Sequence, residues 1–100
     1  MKYVISQWVT IVDMNDEIMA KTLFQHGEYE SLPLTVGCTV VTWQLGLREF
    51  EVVYDQREGK QTRFKVTDIE LDLLSQPAAA RIYLEPVKLI LGHHDIGQAG

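Results

Sequence analysis

Residues 61–91 read QTRFKVTDIELDLLSQPAAARIYLEPVKLIL, and the phase of their apolar side chains decides the fold. Phe64 and Val66 are even-numbered, whereas Ile69, Leu71 and Leu73 are odd. Side chains alternate across a strand with period two, so one strand cannot keep a single buried face through such a change. A bulge or corner is therefore expected near Thr67 and Asp68. The change recurs around Pro86, between Ile82 and Leu84 before it and Val87, Leu89 and Leu91 after it. Proline has no N–H to give a ladder, so Pro86 marks a bend or a strand edge. Two phase changes in successive long strands describe a strongly curved sheet, the geometry by which small barrels turn their corners.

Working outward, Arg48 to Tyr54 alternates Phe50, Val52 and Tyr54 with Glu49, Glu51 and Asp55. The polar run DQREGK then leads into Gln61 to Val66, and the pair reads as a β-hairpin. Before it, Cys38 to Leu45 alternates Val41, Trp43 and Leu45 with Thr42 and Gln44, after a punctuated loop from Gly27 to Gly37 that holds Pro33. The first segment, Lys2 to Val12, is rich in β-branched and aromatic residues and apolar on both faces. Tyr3, Ile5, Val9 and Ile11 point one way and Val4, Trp8 and Val12 the other, as suits a central strand, a closed barrel or a subunit contact. The run DMND at 13–16 fits either a hairpin turn or the capped start of a helix, and we take the hairpin. Pro77 followed by three alanines opens either a short helix or a loop. The expected fold is mainly β: a strongly bent antiparallel sheet or small barrel of about five or six strands, with room for one short helix. Residues 1–91 form one β-rich domain, and 92–100 are expected to be a flexible tail.

Composition agrees. A chain of 100 residues with 46% hydrophobic and 23% charged residues is one domain with an ordinary core. No apolar run approaches the roughly 20 residues that span a bilayer, and MKYVISQWVTIVD reads as a first strand, not a signal peptide. Cys38 is the single cysteine, so neither an intramolecular disulfide nor a CxxC site is possible and a reducing cytoplasm is expected. A net charge of −5 without a basic stripe argues against direct nucleic-acid binding.

The most distinctive polar pattern is Asp68, Glu70 and Asp72, alternating with Ile69, Leu71 and Leu73. Alternate residues of a strand lie about 6.8 Å apart on one face, close to the phosphate spacing of a nucleic acid. With Glu49 and Glu51 as a second row, the stripe could dock on a basic partner or mimic nucleic acid; the plainer reading is a solvated strand face. Gly92-His93-His94-Asp95 offers metal ligands, but neighbours on an extended chain point apart and His26 is the one other imidazole, so neither metal nor cofactor is expected. Cys38 has no marked base, and no phosphate-binding loop occurs. A small-ligand or enzyme site would lie inside the curved sheet, with Trp43, Tyr54 or Cys38 at its mouth. The favoured expectation is a noncatalytic protein-binding or homo-oligomerising module, because a two-sided apolar first strand is wasteful on a monomer.

Overall fold

The computed structural model describes residues 2–31, 34–49, 51–56 and 59–95. They form six strands: β1 (Lys2–Val12), β2 (Ile18–Tyr29), β3 (Thr39–Arg48), β4 (Glu51–Asp55), β5 (Gln61–Asp72) and β6 (Ala79–Ile90). The strands make one sheet in the order β2-β1-β6-β5-β3-β4. It is mixed, because β1 and β6 run parallel from Lys2↔Ala79 to Val12↔Ile90 while every other pair is antiparallel. The sheet curls until its two end strands, β2 and β4, meet through side chains, leaving a barrel that is nearly closed. Its long dimension of 43 Å matches strands of 12 residues rising about 3.3 Å each.

The hairpin reading of 13–16 holds. Asp13 Oδ1 accepts the N–H groups of Asn15 and Glu17, at 2.8 and 3.0 Å, and Asp16 takes the left-handed conformation. The carboxylate that would cap a helix thus closes a turn instead. Of the three alanines after Pro77, read as the opening of a helix or a loop, Ala79 and Ala80 already belong to β6, and no helix occurs among the described residues.

Both phase changes of the quoted stretch are bulges. Val66 pairs with Leu84 and Asp68 with Tyr83, which leaves Thr67 unmatched; Gln7 pairs with Leu84 and Val9 with Val87, so Trp8 faces two residues, Glu85 and Pro86. A third bulge separates Ile5↔Gly27 from Ser6↔Gln25 and leaves His26 unmatched on β2.

The expected hairpin between Arg48–Tyr54 and Gln61–Val66 does not form. Glu49, which follows β3, takes the left-handed conformation, and β4 pairs back on β3 from Arg48↔Glu51 to Gln44↔Asp55. β5 pairs instead with the other half of β3, from Thr39↔Lys65 to Trp43↔Gln61. Phe50, expected in this strand, lies outside the described residues. Gly92–Asp95, expected to fray, turn back toward β3, where Leu47 N–H donates to the His94 carbonyl at 3.0 Å.

The core falls into two clusters. One holds Ile5, Val66, Ile82 and Leu84, with Cys38, Val40 and Phe64 packed against it. The other holds Val9, Ile11, Leu45, Leu47, Val52 and Leu89, with Phe24, Tyr54 and Val87 packed against it. Along β3, β5 and β6 the inward-facing parity changes at the residues where a strand changes partner or bulges.

Candidate functional site

Between the two clusters lies a polar layer. On β1, Gln7 sits between Ile5 of one cluster and Val9 of the other, and it is 0% exposed. On β6, the bulge at Pro86 turns the Glu85 carbonyl toward it, and Gln7 Nε2 donates there at 2.7 Å. The β2 bulge supplies the third member: it leaves His26 and Gly27 as consecutive residues on the inner side, and the ring of Tyr29 covers the place a Gly27 side chain would take.

Partner chemistry assigns the amide of Gln7 and the tautomer of His26. A carbonyl only accepts, so Gln7 must present its NH₂ to Glu85 and its Oε1 to His26 Nε2, which stands 2.8 Å away. Nε2 therefore carries the imidazole hydrogen and Nδ1 accepts. The Tyr54 hydroxyl of β4 donates to Nδ1 at 2.8 Å, and Thr42 Oγ1 of β3 stands 3.4 Å from the same atom. Phe24 packs edge-on against both rings, at 4.8 Å from His26 and 5.2 Å from Tyr54. Burial pushes the half-buried His26 imidazole down to about 4, so it is neutral near pH 7.

This layer joins β6, β1, β2, β3 and β4, and it bridges the seam between the sheet's two ends where no backbone ladder runs. Both nitrogens of His26 are hydrogen-bonded, so the layer ties the two end strands together through the imidazole. In the sequence His26 is simply the one imidazole outside His93-His94, and Tyr54 a candidate pocket residue. The overlooked signal was Gln7, a polar residue at an inward position within an apolar strand.

The other singled-out residues are dispersed. Tyr54 packs on one core cluster and Cys38 on the other, while Trp43 belongs to neither, so the three are not gathered in one cluster. Among the described residues Cys38 Sγ has the Thr39 carbonyl as its hydrogen-bond partner, at 4.0 Å, and no base. In the acidic stripe, Arg81 of β6 clamps Glu70 at 2.8 Å and Asp72 at 3.2 Å. The hydrogen bond that Arg81 donates to Glu70, and then the charge of Asp72, hold the guanidinium above its ordinary range. Asp72 also caps the following turn through the N–H groups of Leu74 and Ser75, and Asp68 accepts from the Ile69 N–H. Glu49 and Glu51 are not alongside: they line an open cleft of about 580 Å³ against Thr22–Gln25 of β2. Among the described residues no group of three metal-ligating side chains occurs, and no helix is long and apolar enough to cross a membrane.

The outer surface carries a different feature. β1 is hydrogen-bonded on both edges, yet Trp8 on its outer face is 51% exposed. Pro86 stands beside it, and two shallow clefts of about 390 and 380 Å³ share Thr10 and Pro86. Ile18 and Met19 extend the apolar area, and Lys21 and the Lys88–Asp16 ion pair rim it.

What these features define is a small mixed β-barrel with a polar brace across its middle and an apolar outer patch. No family model matches the chain, and neither a curated protein nor a solved structure matches it.

Proposed function

We propose that this protein is a noncatalytic interaction module that self-associates through the outer face of β1 around Trp8. The half-exposed Trp8 on a strand already bonded at both edges carries the reading. A tryptophan in the middle of an apolar patch with a charged rim has the anatomy of an interface anchor. A two-fold contact is self-complementary, and the clefts flanking Trp8 offer a place for the partner's Trp8. Cys38, whose Sγ has the Thr39 carbonyl at 4.0 Å and no base beside it among the described residues, gives an enzyme reading no support. The alternative of an acidic inhibitor or nucleic-acid mimic has less support, because Arg81 already engages two of the three carboxylates it would use. The single cysteine supports a cytoplasmic setting.

Sedimentation velocity over a wide concentration range tests the proposal. The wild type is expected to associate at micromolar concentration, and Trp8→Lys to stay monomeric with an unchanged circular dichroism spectrum. A wild type that sediments as a monomer throughout, or a Trp8→Lys variant that associates equally, contradicts it.

A further inference from the structure

The seam of the barrel is itself a surface. β2 and β4 end the sheet, and among the described residues each has a backbone ladder on one edge alone. The Tyr54 side chain reaches from β4 to the ring and, at 3.4 Å, to the carbonyl of His26 on β2. A side chain thus spans the place where a ladder would bring the backbones within about 4.8 Å of each other. Beyond Tyr54, toward the β3–β4 turn, the seam opens as the cleft between Thr22–Gln25 and Glu49, Glu51 and Val52.

We propose that this seam binds an extended basic peptide segment by strand addition, a site separate from the Trp8 face. Unpaired N–H and C=O groups on facing strand edges are the donors and acceptors that an added strand uses. Four residues of β2 give about 13 Å of edge, enough for a segment of about four residues. The half-buried Phe24 supplies an apolar contact for a side chain of the segment. The charges lining the cleft are the two carboxylates of Glu49 and Glu51, and neither has an ion-pair partner among the described residues. Lysine or arginine at alternate positions of the peptide answers them. A second copy of this chain is the poorer occupant: it is acidic overall, and its β4 edge would set Glu51 against like charge.

The test uses a fluorescent hexapeptide of alternating valine and lysine and reads anisotropy together with amide chemical shifts of the protein. Saturable binding is expected, with shifts at Thr22–Gln25 and at Glu51 and Val52. Glu49→Gln/Glu51→Gln should weaken it about tenfold. Methylating alternate peptide amides should abolish it, while Trp8→Lys should leave it unchanged, which separates this site from the self-association face. Absence of binding, shifts elsewhere, equal binding of the methylated peptide, or equal binding of a valine–glutamate peptide each overturns the proposal. The glutamates would then only guard two exposed strand edges.

Discussion

At the scale of single residues, Gln7 and His26 decide how the middle of the barrel is held. A buried glutamine is tolerable only if both ends of its amide are bonded, and here Glu85 takes one end and His26 the other. The side chains facing His26 (Gln7, Phe24, Thr42 and Tyr54) are uncharged, so nothing offsets the desolvation of an imidazolium. Above about pH 6.5 the imidazole is neutral in the folded and unfolded chains alike, and stability from this group is fully present. As pH falls from 6.5 toward 4, the unfolded chain takes up a proton that the folded one refuses, and stability declines. Urea midpoints measured across this range should fall for the wild type and fall less for His26→Gln. Equal slopes for the two proteins would show that other groups govern the acid limb.

At the scale of elements, the bulges were legible in the sequence and the strand pairings were not. A bulge leaves a local trace, a shift from even to odd apolar positions, and the traces at Thr67 and Pro86 mark the corners found there. The β3–β4 turn left no such trace, because Glu49 adopts a left-handed conformation without the glycine or asparagine that usually signals one. Strand order is non-local, so nothing near Gln61 announces that β5 pairs with β3 and β6 instead of β4. The β1–β2 turn was ambiguous because one carboxylate can cap a helix or close a hairpin. Asp13→Ala removes the acceptor for two N–H groups and should cost about 1 kcal/mol, read as a lower urea midpoint at constant m-value. No change in midpoint would mean that the backbone bonds between Asp13 and Glu17, and between Asp13 and Asp16, hold the turn unaided.

At the scale of the whole molecule, a six-stranded sheet curls around two apolar clusters with a polar layer between them, and its ends meet without a ladder. The candidate site was legible only in fragments. The two apolar faces of β1 pointed to an outer contact, and Trp8 is exposed on that face. The brace was illegible because Gln7, His26 and Tyr54 are brought together by three separate strands and a bulge. The acidic stripe stood out in the sequence, but its clamp by Arg81 depends on the β5–β6 register. The central claim is that Trp8 is the anchor of a self-interface, and the chain has only one other tryptophan, Trp43. The most direct test is the emission spectrum of Trp43→Phe, in which Trp8 reports alone, recorded from submicromolar to hundreds of micromolar protein. Solvent-exposed emission is expected at high dilution and a saturable blue shift with concentration, as Trp8 leaves water. An emission maximum independent of concentration would contradict it.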